Sequence, residues 1–227
     1  MKKLFILPLA VLAFTANSAS AQLQFGIKGG VNYSNITISN NGETDDNRGI
    51  ATWHVGGYID APLADVLSLQ AGLMVTAKGA KYTWSNSGIS SSLEAKTNPV
   101  YLELPVNLVG KIPLGDNIKL FAGAGPYVAM GIAGKNSVSG QLAGASYSRD
   151  ENIEFSNDDP SNNDNGYSGN LKRYDFGINI LAGLEIGHLT LNANYGHGLV
   201  NIRPGSDNND NDKFKNRVLS FSVGILF

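Results

Sequence analysis

Six ionisable residues fall where strand alternation would turn them away from lipid: Lys28, Asp60, Lys78, Glu103, Asp175 and Glu185. Charges taken out of water must pair or keep water beside them. Such a set is therefore either a mutually satisfied plug or the lining of a narrow polar path. Chain order suggests two layers: Lys28 with Glu185 and Asp60 in one, Lys78 with Glu103 in the other. Three histidines, His54, His188 and His197, are the groups suited to proton transfer near neutral pH. His188 falls in a tight turn; alternation points His54 inward and His197 outward. A Ser/His/acid hydrolase needs a nucleophile within hydrogen-bond reach of one of them, and no G-x-S-x-G run occurs. No enzyme activity is expected. Two acidic stretches, one holding Asp158, Asp159 and Asp164, the other Asp207, Asp210 and Asp212, offer oxygen ligands to calcium. Neither has EF-hand spacing, and a solvated loop has the same composition. The six Asp stand as candidates only, and no resident metal or cofactor is expected.

The elements that would position these groups are strands. From Arg217 to Phe227, odd positions read Leu219, Phe221, Val223, Ile225 and Phe227, while the even positions between them are mostly small. This two-residue period marks a strand with one bulky apolar face. The amino terminus reads as an export leader: Met1-Lys2-Lys3, an apolar run from Leu4 to Phe14, then Ala19-Ser20-Ala21 before Gln22. Residues 1–21 are the expected cleaved signal peptide and 22–227 a single barrel domain. No other segment has the roughly 18 unbroken apolar residues of a spanning helix. The chain holds no Cys, which excludes a disulfide-stapled exported fold. The formal charge is −2, and removing Lys2 and Lys3 makes it more acidic, which argues against a nucleic-acid partner.

Eight strands are predicted: about Gln24 to Ile36, Ile50 to Asp60, Val66 to Trp84, Pro99 to Lys111, Ile118 to Ile132, Lys172 to Gly187, Leu189 to Val200 and Asn216 to Phe227. The connections alternate long and short. The short ones are Ala61–Asp65, Ile112–Asn117 and Gly187-His188; the long ones are Thr37–Gly49, Ser85–Asn98, Ala133–Leu171 and Asn201–Lys215. Long external loops and short periplasmic turns are the order of bacterial outer-membrane barrels. The fold class predicted is all-β, an eight-stranded antiparallel up-and-down transmembrane barrel. Tyr174, Phe176, Ile178 and Ile180 would face lipid, as would Val100, Leu102, Leu104, Val106 and Leu108. Pro105 cannot donate to a ladder, so a bulge or break is expected there, and another bulge near Lys78-Gly79, where the alternation loses phase. Outward aromatics would form two girdles, Phe25 and Phe227 at the periplasmic interface and Tyr33, Trp53, Tyr174 and Tyr195 at the outer one.

Phe25-Gly26-Ile27-Lys28-Gly29-Gly30-Val31-Asn32-Tyr33-Ser34 resembles the first strand of small Gram-negative outer-membrane barrels of the porin-family, PorT-like kind, with the OmpA-type eight-stranded architecture. Pro99-Val100-Tyr101-Leu102-Glu103-Leu104-Pro105 is similar to that family's Tyr-x-Glu-x-Pro strand. The Phe227 terminus resembles the signal read by the barrel-assembly machinery. The resemblance implies secretory export, residence in the outer membrane among lipid and lipopolysaccharide, and insertion by that machinery; it implies no single activity. Three readings stay open: a barrel plugged by polar side chains that acts structurally or by interaction through its external loops, a small passive channel, and a lipid-modifying enzyme. The first is the expectation.

Overall fold

The computed structural model describes residues 23–40, 43–45, 48–86, 91–142, 145–156, 170–204 and 213–227. The expected leader and all six candidate calcium ligands, Asp158, Asp159, Asp164, Asp207, Asp210 and Asp212, lie outside these residues. The described chain contains eleven strands and no helix: β1 (Gln24–Asn40), β2 (Glu43–Asp45), β3 (Arg48–Ala64), β4 (Leu67–Ala77), β5 (Ala80–Asn86), β6 (Ser91–Pro113), β7 (Ile118–Leu142), β8 (Ala145–Asn152), β9 (Tyr174–Ile186), β10 (Leu189–Gly198) and β11 (Lys213–Leu226).

Eight of them close a ring. β1 pairs with β3, then β4, β6, β7, β9, β10 and β11 follow in turn, and β11 pairs back onto β1 from Gly26↔Leu226 to Ser39↔Lys213. Every pairing in it is antiparallel, and because β11 closes onto β1 the ring has no free edge, the condition for strands in lipid. The other three strands extend this wall: β2 on β1, β5 on β3 and β6, β8 on β7. Three short turns lie at the end where β1 begins and β11 finishes, and there the Phe227 amide donates to the Phe25 carbonyl at 2.7 Å. Gly187 takes φ of 57° there, a left-handed position that favours glycine in the two-residue Gly187-His188 turn.

The alternation sorts side chains as expected. On β11, Phe221 and Val223 are 52% and 55% exposed while Ser220 and Ser222 are each 8%. On β9 the outward row Tyr174, Phe176, Ile178 and Ile180 is exposed and Asp175, Asn179 and Leu181 are buried. An aqueous protein would not leave this continuous apolar belt bare; lipid is its natural solvent. Phe25, Phe227, Tyr33, Trp53, Tyr174 and Tyr195 all project from the outer wall.

Two expectations need correction. The segments Ser85–Asn98 and Ala133–Leu171 are not simply loops. β6 runs 23 residues and β7 runs 25, paired as far as Ser92↔Gln141, and β8 lies against the end of β7. Near Lys78-Gly79 the strand stops and restarts, since β4 ends at Ala77 and β5 begins at Ala80. A Cβ at Gly79 would stand 2.3 Å from the Thr97 carbonyl oxygen, so the chain crosses its neighbour too closely for any larger residue. The break expected at Pro105 is present and shared: the β4–β6 ladder skips Gly72 and Leu73 of β4, opposite Pro105 and Leu104, and the β6–β7 ladder skips Val106 and Asn107 of β6, opposite Pro126 and Gly125 of β7. Two prolines without N–H groups account for this gap. The one register shift in the β6–β7 ladder falls instead between Val100 and Tyr101.

Candidate functional site

The candidate site is the barrel interior. Inward-facing glycines and small polar residues leave room there for lysines and carboxylates from opposite walls to meet. At the loop end Lys78 lies 2.8 Å from Glu103 and 3.1 Å from Asp175. Its ammonium also sits over the rings of Tyr127 at 4.3 Å and Tyr101 at 5.2 Å. Asp175 Oδ2 accepts further bonds from Tyr127 Oη at 3.2 Å and Asn216 Nδ2 at 2.9 Å. Donors from the break between β4 and β5, from β7 and from β11 therefore converge on one β9 carboxylate. Phe155 covers this cluster edge-on against Tyr101, with ring centroids 6.0 Å apart. Ile153 packs above Gly134, and its amide donates to the Gly134 carbonyl at 3.0 Å.

At the turn end the central cation is Lys111, 2.7 Å from Asp60 and 3.0 Å from Glu185. Gln70 donates to the same Asp60 oxygen at 2.7 Å, and Lys119 pairs with the other Glu185 oxygen at 2.8 Å. Asp60, Asp175 and Glu185 are buried, so their charges are compensated in place rather than by solvent.

Between the layers runs a neutral polar girdle. Asn32 donates through Nδ2 to the carbonyls of Trp53 and Ala77 and to Thr76 Oγ1. Its Oδ1 accepts from Ser220 Oγ at 2.7 Å and lies 2.7 Å from His54 Nδ1. Since that oxygen can only accept, Nδ1 carries the proton, and Nε2 then accepts from Ser222 Oγ at 2.7 Å. Ser222, His54 and Asn32 thus have the order of nucleophile, base and orienting group. The cavity that Ser222 lines is only about 10 Å³, room for one water and none for an acyl chain. His197 faces outward at the rim, its ring tilted by 33° against that of Tyr195 with centroids 6.4 Å apart.

The six sequence-predicted residues all belong to the interior, but the partners differ from the expected layers. Lys78 does meet Glu103, and Asp175 joins them. Asp60 and Glu185 meet through Lys111, not through Lys28. Among the described residues Lys28 has no carboxylate at ion-pair distance; it lies 5.2 Å over the Tyr58 ring and lines the cavity that Asp60 and Glu185 also line. Lys111 and Lys119 were missed. Both occupy odd positions on strands whose odd residues face inward, so the parity signal existed, but each sits beside a turn where a lysine reads as solvated.

Solved structures similar to this chain include the following three. Ail, the attachment invasion locus protein of Yersinia pestis, in complex with the heparin analogue sucrose octasulfate, is 13% identical with a TM-score of 0.38, covering 90% of this chain and 99% of that one. Neisserial surface protein A is 12% identical with a TM-score of 0.37, covering 89% and 97%. An outer membrane channel of Pseudomonas putida F1 is 11% identical with a TM-score of 0.27, covering 92% and 97%. No curated protein sequence matches the chain. One family model, described as an outer membrane protein beta-barrel domain, matches residues 15–203. The closed ring, the apolar belt and this match together place the chain in the outer membrane protein beta-barrel domain family.

Proposed function

We propose that this outer-membrane barrel is plugged, and that it serves a structural or interaction role through the loop end rather than as a conduit. The observation that carries the reading is the interior itself. Two ion-pair layers and the Asn32–His54–Ser222 girdle fill the section, and the cavity beside Lys28 holds about 10 Å³. An eight-stranded barrel is just wide enough for side chains to fill it. In this reading the turn end, where β1 begins and β11 finishes, faces the periplasm and the long β6–β7 extension with β8 projects outward, beside lipopolysaccharide. Secretory export of the chain and recognition of the β11 terminus at Phe227 by the assembly machinery belong to the same proposal; their support is the leader-like start and the lipid-facing row that ends in Phe227.

Planar-bilayer recording on the refolded protein tests the plug. Silence is expected, with heat-modifiable gel migration confirming a folded barrel. Steady openings, altered in Glu103→Ala, would hand the function to a small passive channel.

A further inference from the structure

A cavity of about 10 Å³ lies at the turn end of the interior, lined among others by Lys28, Tyr58, Asp60, Thr190, Asn192 and Ser222. Two of the residues that line it each carry a buried acceptor without a partner. Asp60 is fully buried; its Oδ2 takes Lys111 and Gln70, while its Oδ1 has no hydrogen-bond partner. Asn192 Oδ1 has none either. A donor is unmatched as well. Lys28 brings a charged ammonium to the same cavity, with a π face beside it and no carboxylate at ion-pair distance among the described residues.

These requirements select the occupant. A buried acceptor left alone costs about 1–3 kcal/mol, more when charged, so Asp60 Oδ1 and Asn192 Oδ1 call for a donor. Lys28 calls for an acceptor. A halide would satisfy Lys28 and repel both oxygens. A metal cation would satisfy the oxygens and repel Lys28, with Lys111 adding to the repulsion. Only a small ligand that donates and accepts meets all three, and the volume matches one water molecule. We propose that this cavity is a binding site for a single water, accepting from Lys28 and donating to Asp60 Oδ1 and Asn192 Oδ1. It joins Lys28 to the Lys111–Asp60–Glu185 layer, completing a turn-end layer in which three lysines face two carboxylates.

The inference rests on the plugged reading of the interior. The test is a high-resolution crystal structure of the detergent-solubilised protein, with a bromide-soaked crystal beside it, and water-to-protein magnetisation transfer in micelles. Expected are one density peak within hydrogen-bond distance of Lys28 Nζ, Asp60 Oδ1 and Asn192 Oδ1, no anomalous bromide signal there, and long-lived transfer to Thr190. Asn192→Leu, which fills the cavity and removes one acceptor, should abolish the transfer while heat-modifiable migration persists. The wild-type measurement decides the matter even if that variant fails to fold. Anomalous bromide density, direct contact of Lys28 with Asp60, or no peak would overturn the inference. A silent bilayer with no ordered water sinks this site alone, whereas steady conductance sinks the plug.

Discussion

Lys78 is the residue on which the loop-end layer depends, because it separates two carboxylates that would otherwise face each other. Replacing it with Met leaves Glu103 and Asp175 uncompensated, and breaking a buried ion pair in this way costs about 3–5 kcal/mol. Urea unfolding of protein refolded in vesicles should show a loss of that order for Lys78→Met and a smaller one for Glu103→Gln, which leaves Lys78 bound to Asp175. Equal midpoints for Lys78→Met and wild type would mean that the layer is hydrated. A second pair of variants separates buried from exposed. Lys111→Met should destabilise strongly, because it leaves buried Asp60 with no cation at ion-pair distance and removes one of the two lysines on Glu185. Lys119→Ala should cost less than about 1 kcal/mol, since that lysine is 46% exposed; the same unfolding measurement compares them. Alternation along each strand shows which side chains face inward, and all six predicted residues do. It does not show which inward residues share a height. That depends on the stagger between non-adjacent strands, and so Lys28 was matched with carboxylates that Lys111 holds.

Strands legible in the sequence are those whose two faces differ. β9, β10 and β11 alternate bulky apolar with small or polar residues, and their bounds follow the pattern. The distal halves of β6 and β7 are polar on both faces, as in Ser91-Ser92-Leu93-Glu94 and Lys135-Asn136-Ser137, so no period marks them and only pairing reveals them. Close approach between strands was equally hidden. An added Cβ at Gly125 would stand 1.9 Å from the Val106 carbonyl oxygen, while at Gly29 its nearest neighbour is at 3.4 Å. The backbone oxygen cannot swing away, so Gly125→Ala should cost about 1–3 kcal/mol by overpacking, with Gly29→Ala near neutral. Thermal shift of gel migration for the two variants is the check; equal tolerance would place β6 and β7 farther apart than described.

The molecule as a whole is an inverted globule, ionic within and apolar outside, and the bilayer makes that arrangement stable. A charge on the outer wall should therefore be as harmful as a charge lost inside. Leu104→Lys, in the middle of the lipid-facing row of β6, should cost roughly 2–4 kcal/mol, and Leu114→Lys, in the turn beyond the wall, close to nothing; folding yield into vesicles reads the difference. The sidedness itself is open to direct measurement, because the chain has no cysteine to remove. Single cysteines placed one at a time from position 218 to 225 on β11 can carry a nitroxide label in the refolded protein, with oxygen in the lipid as the relaxing agent. A barrel with lipid outside gives high oxygen accessibility at 219, 221, 223 and 225 and low accessibility at 218, 220, 222 and 224. Uniform accessibility, or the opposite phase, would contradict a closed barrel whose ionic groups face inward.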